Sequence, residues 1–255
     1  MKALVLLAIV VGSVFAGPAI VRHELQPISF GKPVRDPSID LCNVCVQFSQ
    51  EFLNELVNII ANAGVIGGCG ELCQLLEQAV KINSSLVEVV CDLLCDYVGI
   101  EAFIKLVDKA DLDPIYYCEL LRLCPIKDDG DAKITSLTVN PTSVPRGSTF
   151  NINMQFNTVK GTGTGEIDLL ILTVDGIPVG QNELVEPQQP GTYNVSWSVQ
   201  AKPDPNCDPT QQLCEMWEVG NYQANVAICN GECGSSHPHS QVYDNRTVPF
   251  SVVKG

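Results

Sequence analysis

The chain has 255 residues, and its 29 acidic and 15 basic side chains give a formal net charge of −14 at neutral pH. Nucleic acids and anionic surfaces carry the same sign, so we expect no nucleic-acid partner. The length is sufficient for two ordinary domains, and the even number of cysteines, 12, is typical of a disulfide-bonded protein.

The amino end has the pattern of a secretory signal peptide over residues 1–16. Lys2 precedes an apolar run, and small residues ending at Ala16 form a cleavage pattern before Gly17. The apolar run is shorter than the ~20 residues that a membrane-spanning helix needs. Residues 17–37 contain prolines without a hydrophobic period, which predicts an extended leader or propeptide. We therefore expect a secreted, extracellular protein.

Residues 38–125 have a helical hydrophobic period and contain eight of the cysteines. Asp113 is a predicted helix cap because Pro114 follows it at the first helical position. The predicted helices cover residues 38–62, 69–80, 85–98, 100–107 and 113–123. This region is therefore predicted to be an all-α, disulfide-stapled helical domain.

The cysteine spacing ranks the pairings within the helical region. Two antiparallel helices joined by a turn bring together positions equally far from the turn, and the central four cysteines are placed symmetrically about residue 82. Eight cysteines allow 105 pairings, so the spacing ranks these bonds and does not prove them. The favoured bonds are Cys69–Cys95 and Cys73–Cys91 as nested pairs, with Cys42–Cys124 and Cys45–Cys118 joining the first helix to the last.

A short charged linker at residues 126–132 precedes a second region, 133–255, in which the pattern alternates with a period of two. Asp175 and Gly176 have the composition of a hairpin turn. Predicted strands include residues 134–139, 150–156, 167–174, 193–199, 222–228 and 248–253. About seven strands separated by turns predict an all-β immunoglobulin-like sandwich. The predicted fold class is thus α + β, in two domains.

Smaller features of the sequence agree with secretion. Cys207 with Cys214 and Cys229 with Cys233 are spaced as local loop staples. Three glycosylation sequons begin at Asn83, Asn194 and Asn245. Asn194 is predicted to lie on the exposed face of its strand.

The cysteine pattern of the helical region resembles a saposin B-type domain. The shared features are Cys42-x-x-Cys45, a central cysteine-bearing helix pair, and two cysteines six apart, Cys118 and Cys124. The pattern departs from the usual six cysteines by a second bond in the central hairpin, and an unrelated disulfide-rich bundle is the alternative. The resemblance implies a closed or opening leaf of helices that binds, extracts or permeabilises lipid.

The negative charge of the helical region limits the lipid binding that this resemblance implies. Thirteen acidic and four basic residues lie between Asp40 and Cys124, so this region has a net charge of −9. Anionic lipid attracts basic surfaces, and carboxylates lose their charge only near pH ~4. Any lipid binding is therefore expected to depend on acid.

The order of the regions resembles the countin family of the social amoebae. A signal peptide, an acidic helical region and a β-region follow one another, and the run from Gly220 to Cys233 shares the family's pattern. The resemblance implies a secreted component of a counting factor that limits the size of aggregating cell groups. Its expected partners are other secreted subunits and a cell-surface receptor, with lipids as a further candidate.

Catalytic chemistry has little support in the sequence. The histidines available as bases are His23, His237 and His239, and none lies in the helical region. His237 and His239 near Cys233 lack the second half of a zinc pattern, so a structural loop is favoured. The four-residue step from Asp92 to Asp96 is typical of a solvated helix face. We expect no catalytic residue, metal or cofactor.

Three functions remain as hypotheses. The first is a secreted, glycosylated, non-enzymatic component of an extracellular complex that regulates cell number through signalling or adhesion. The second is a lipid-binding or pore-forming protein active at acidic pH. The third, a hydrolase, requires a nucleophile with a positioned base, which the sequence does not display.

Overall fold

The structure is a computed structural model that describes residues 41–62, 66–80, 85–110, 112–208, 210–211 and 213–255. The predicted signal peptide, the leader, the first three residues of the predicted helix 38–62 and the sequon at Asn83 lie outside the described residues. Within the described part, five α-helices precede eight β-strands. None of these helices combines the length and the hydrophobicity needed to cross a bilayer.

The helices lie where the hydrophobic period predicts them. Asp113 caps the last helix, as predicted, and its Oδ1 accepts a hydrogen bond of 2.8 Å from the Tyr116 amide. That bond satisfies one of the amides that a helix start leaves unpaired. The helices are α1 (Leu41–Asn62), α2 (Cys69–Val80), α3 (Ser85–Val98), α4 (Ile100–Ala110) and α5 (Pro114–Leu120).

Four disulfides and one apolar cluster hold the helices together. Two bonds join α1 to the α5 end of the region, and two join α2 to α3. Phe103 and Tyr117 meet edge to face at 5.9 Å between ring centroids. Both rings are fully buried, so they and the disulfides form the centre of the helical core.

The strands form two sheets. One has the order β1-β3-β6, and the other has the order β2-β8-β7-β4-β5. All neighbouring strands are antiparallel except β2, which runs parallel to β8. The strands are β1 (Lys133–Asn140), β2 (Ser143–Pro145), β3 (Thr149–Thr158), β4 (Gly165–Leu172), β5 (Val179–Val185), β6 (Gly191–Gln200), β7 (Gly220–Asn230) and β8 (Gln241–Val253).

The two sheets face each other and approach along one side, where β1 lies beside β8. The Ile134 amide donates a 2.9 Å hydrogen bond to Oδ2 of Asp244 across this gap. Phe150, Trp197 and other alternating residues fill the space between the sheets. The strand region is therefore a sandwich-like half-barrel.

The predicted fold class is wrong. The sequence predicts an all-α saposin-type domain followed by an immunoglobulin-like sandwich, whereas the structure has five short helices packed against a half-barrel of eight strands. The physical reason is that the helices do not complete their own core. Leu184 of β5 packs into the helical cluster, and Thr164 lies against Cys42 of α1. Such contacts between distant segments leave no trace in a local hydrophobic period.

Candidate functional site

The candidate site is the junction between the helices and the half-barrel, which we call the seam. It consists of α5, residues 125–132 that follow it, the start of β4 and the loop 231–240 between β7 and β8. Polar side chains of the helical region and of the half-barrel meet there.

Two contacts join α5 directly to the loop 231–240. The Ser235 hydroxyl donates a 2.6 Å hydrogen bond to Oδ2 of Asp113, the helix cap. The ring of His237 stacks on the ring of Tyr116, with centroids 4.4 Å apart and planes 9° from parallel. The first turn of α5 is therefore fixed to a loop more than a hundred residues later in the chain.

Residues 126–132, predicted as a linker, and Pro125 before them lie against the loop 161–165. The Thr164 hydroxyl donates a 3.1 Å hydrogen bond to the Pro125 carbonyl, and the Asp131 amide donates one of 3.1 Å to the Gly161 carbonyl. A Cβ at Gly165 would overlap the carbonyl oxygen of Cys229. Glycine is required here because only its missing side chain permits this approach of two backbones.

Glu166 and Asp168 are carboxyl groups on β4, beside the loop 231–240. Oε1 of Glu166 accepts a hydrogen bond from the Cys233 amide, and Oε2 accepts one of 3.1 Å from the Asn182 side chain. Burial raises the pKa of Glu166 to about 8, and the nearby charge of Asp168 adds to the effect. Burial also raises the pKa of Asp168 to about 6.

Two further carboxyl groups extend this cluster toward α5. Burial and then the neighbouring Asp113 raise the pKa of Glu232 to about 7. Burial raises the pKa of Glu119 to about 7, although the nearby His239 opposes the shift. The raised pKa values therefore place the change of these four carboxyl groups from the protonated to the ionised form at about pH 6 to 8.

One group of described residues has the spacing of a metal site. Ligand atoms of Glu166, Asp168 and Cys233 lie within 4.8 Å of one another. However, the Cys233 sulfur is bonded to Cys229, and both Glu166 oxygens accept hydrogen bonds. The metal-binding thiolate is lost in a disulfide, so the donor set does not fit a metal ion.

A cleft of about 540 Å³ opens beside the seam. Lys127, Lys160 and Gln188 line it, together with Asp128 and Asp129. Lys127 forms an ion pair of 3.2 Å with Asp129. Opposite charges therefore alternate along the walls of this cleft.

Two family descriptions match almost all of the described chain. The Countin N-terminal domain matches residues 40–122, and the Countin C-terminal domain matches residues 132–255. The chain belongs to the countin family.

Comparison with curated countins also places this chain in the family. Countin-1 of Dictyostelium discoideum is 36% identical over 215 residues, which cover 84% of this chain and 78% of that protein. Countin-3 of the same organism is 36% identical over 216 residues, which cover 85% of this chain and 91% of that protein. Among solved structures, the C-terminal domain of wzt aligns with 51% of this chain and 82% of its own, at 15% identity and a TM-score of 0.37. That likeness is too slight to carry an argument.

The helical region is thus the countin N-terminal domain, and its resemblance to a saposin B-type domain is not supported. The match ends at residue 122, before the Cys124 partner of Cys42. The seam lies between the two matched regions and involves both of them.

The structure brings together the cysteines that the spacing pairs. In this countin-family chain the described cysteines all form disulfides. The bonds are Cys42–Cys124, Cys45–Cys118, Cys69–Cys95, Cys73–Cys91, Cys207–Cys214 and Cys229–Cys233.

The remaining predicted residues are the glycosylation asparagines and the histidines. Asn194 on β6 and Asn245 on β8 are both exposed. His237 stacks on Tyr116, and Nδ1 of His239 lies 2.7 Å from Oδ1 of Asp128. Each described histidine therefore has a structural contact within the seam.

Sequence reasoning missed most of the seam. Asp113 was identifiable only as a cap, and Glu119 and Glu232 gave no pattern of their own. Glu166 and Asp168 did carry one signal, since two acidic residues interrupt the otherwise apolar strand β4. Buried charged residues are rare, and Glu166 is only 3% exposed, so it marks a site of interest.

Proposed function

We propose that this chain is a secreted, non-enzymatic countin-type factor that regulates the size of cell groups as part of an extracellular protein complex. The observation that carries this proposal is its membership of the countin family over both matched regions. Signalling or adhesion at the cell surface is the proposed route.

The disulfides support an extracellular location. Six disulfides are present among the described residues, and bonds of this kind persist in oxidising compartments. Asn194 and Asn245 are exposed and available for glycosylation. Both features agree with a chain that passes through the secretory pathway.

The chemistry of the seam supports a non-enzymatic role. The described cysteines form disulfides, so no free thiol is available as a nucleophile among the described residues, and both described histidines make contacts within the seam. The buried carboxyl groups join two parts of the protein and do not line an open substrate pocket. We assign the seam to holding the interaction surfaces in a fixed relation.

The proposal is tested in Dictyostelium discoideum cells that lack Countin-1. The full chain is expressed in these cells, the medium is assayed for the protein, and the cells in each aggregation group are counted. We expect the chain in the medium, in an assembly larger than its own 27.6 kDa, and a shift in group size.

The control for this assay is a chain in which Cys45 and Cys118 are both replaced by Ser. We expect this variant to be secreted poorly, because a buried disulfide of the helical core is lost. Retention of the wild-type chain inside the cells, or an unchanged group size despite secretion, would contradict the proposal.

A further inference from the structure

The outward face of α3 carries a line of apolar side chains. Val89, Leu93 and Tyr97 are 60%, 52% and 59% exposed. They are spaced four residues apart, so they follow one another along the helix surface. We call this line the apolar ridge. Single exposed apolar residues are ordinary, but a continuous line of three marks a candidate interaction site.

A line of acidic side chains runs directly beside it. Glu88, Asp92 and Asp96 each precede a member of the apolar ridge by one residue, so they form a parallel line with the same four-residue spacing. We call this line the acidic ridge. The opposite face of α3 is occupied, since Cys91, Leu94 and Cys95 are buried and two disulfides tie that face to α2.

The acidic ridge is unfavourable for the isolated helix. Like charges four residues apart on a helix destabilise it by about 0.2–0.5 kcal/mol for each pair. Burial, Asp96 and Glu88 together raise the pKa of Asp92, which shows the same repulsion. Oδ1 of Asp92 also has no hydrogen-bond partner among the described residues. A cationic donor from another molecule would reduce the repulsion between the carboxylates and give Oδ1 of Asp92 a hydrogen-bond partner.

The charges decide between possible occupants of this surface. A second copy of the chain would bring a second acidic ridge to this surface and no basic line to pair with the first. An anionic membrane carries the same sign as the ridge and is repelled by it. A segment with an apolar line beside a basic line matches both ridges at once.

We propose that the two ridges of α3 form a docking surface for a basic amphipathic helix of a partner protein. Its apolar residues pack on Val89, Leu93 and Tyr97, and its Lys or Arg side chains pair with Glu88, Asp92 and Asp96. This inference rests on the proposed function and deepens it, because the helix would belong to another subunit of the extracellular complex.

The probe is a synthetic helical peptide of about 18 residues, ~27 Å long, which exceeds the ~21 Å length of α3. It carries Leu at four-residue steps and Lys at the adjacent positions. A second peptide has Glu in place of each Lys. Binding to the full disulfide-bonded chain is measured by fluorescence anisotropy at neutral pH, in about 50 and about 150 mM salt.

We expect saturable binding of the Lys peptide that weakens as salt rises, and no binding of the Glu peptide. Leu93→Ser should weaken binding about tenfold or more. The double variant Asp92→Asn, Asp96→Asn should weaken it and reduce its salt dependence. Val159→Ser is the matched control, because Val159 is an exposed apolar residue of the half-barrel and lies outside both ridges.

Absence of saturable binding, equal binding of the two peptides, or equal binding to all variants would overturn the inference. A parallel measurement uses phosphatidylserine vesicles. Vesicle binding that Leu93→Ser abolishes, in a chain that ignores the Lys peptide, would reassign the apolar ridge to lipid and also overturn the inference. The group-size assay of the wild-type chain does not involve these peptides, so the proposed function is judged independently.

Discussion

Asp113 is the residue at which local and long-range structure meet. Its Oδ1 accepts the Tyr116 amide within α5, and its Oδ2 accepts the hydroxyl of Ser235 across the seam. Asp113 is only 4% exposed, so both hydrogen bonds lie in a region of low dielectric. One side chain thus begins a helix and fixes it to the half-barrel.

Replacing Asp113 should therefore cost more than replacing its partner. Asp113→Ala loses a helix cap, worth about 0.5–2 kcal/mol, and the seam hydrogen bond, worth about 0.5–1.5 kcal/mol. Ser235→Ala keeps the helix cap and loses the seam hydrogen bond, together with the 3.1 Å hydrogen bond that its hydroxyl accepts from the His237 amide. Urea unfolding of both variants and of the double variant measures the two contributions. A coupling energy near zero between the two substitutions would contradict the hydrogen bond that joins Asp113 to Ser235 across the seam.

Gly165 gives a second prediction at this scale. A Cβ there overlaps the Cys229 carbonyl oxygen, so Gly165→Ala should lower the unfolding free energy by about 1–3 kcal/mol or more. Gly70→Ala is the matched control, because nothing lies within 4 Å of its Cβ position on α2. There, Ala should raise stability by up to about 1 kcal/mol. Thermal unfolding of both variants measures these changes in stability. Similar changes at Gly165 and Gly70 would contradict the close approach at Gly165.

At the scale of the elements, the disulfides differ widely in the length of the loop that each one closes. Cys42–Cys124 closes a loop with a separation of 82 residues, whereas Cys207–Cys214 closes one of 7. A longer loop loses more entropy in the unfolded chain when it is closed. The bond that joins α1 to the end of the helical region should therefore stabilise the fold most.

Replacing both cysteines of a pair by Ser tests this order. In a chain that already lacks the Cys45–Cys118 bond, which is nested inside the longer loop, the chain-entropy relation gives about 4.5 kcal/mol for Cys42–Cys124, against about 2.4 kcal/mol for Cys207–Cys214. We expect the first variant to unfold at a clearly lower urea concentration than the second. The reverse order would show that unfolded-state entropy does not govern these bonds.

Helices and strands differ in how well the sequence predicts them. The helices and the strands around Phe150 and Trp197 were predictable because their patterns are local. Strand β5 was missed because polar residues, such as Gln181 and Asn182, interrupt it at the edge of the sheet. The seam was not predictable, because Asp113 meets Ser235 at a separation of 122 residues. Only the fold brings these two residues together.

On the scale of the whole molecule, the seam makes stability depend on pH. The folded chain holds the pKa values of Glu119, Glu166, Asp168 and Glu232 at about 6 to 8, well above their ordinary values near 4. Protons therefore bind the folded chain more tightly than the unfolded chain. The stability that this contributes is complete below about pH 4 and is lost as the pH rises through about 6 to 8.

The urea midpoint should accordingly be higher at about pH 5 than at about pH 8. Glu166→Gln removes the group with the highest of these pKa values and should make the midpoint less dependent on pH. The exposed Glu101 on α4 offers a matched control, and Glu101→Gln should leave the dependence unchanged. Identical midpoints at the two pH values in the wild-type chain would contradict the buried, protonated state of the seam.

We infer that the helices and the half-barrel form one folding unit. Both tryptophans, Trp197 and Trp217, are buried in the half-barrel, whereas far-ultraviolet circular dichroism reports chiefly on the helices. Urea unfolding of the wild-type chain is followed by both signals in one experiment. Since Leu184 and the seam couple the two regions, we predict a single, coincident transition. Two separate transitions would contradict the shared core and show that the regions are independent domains.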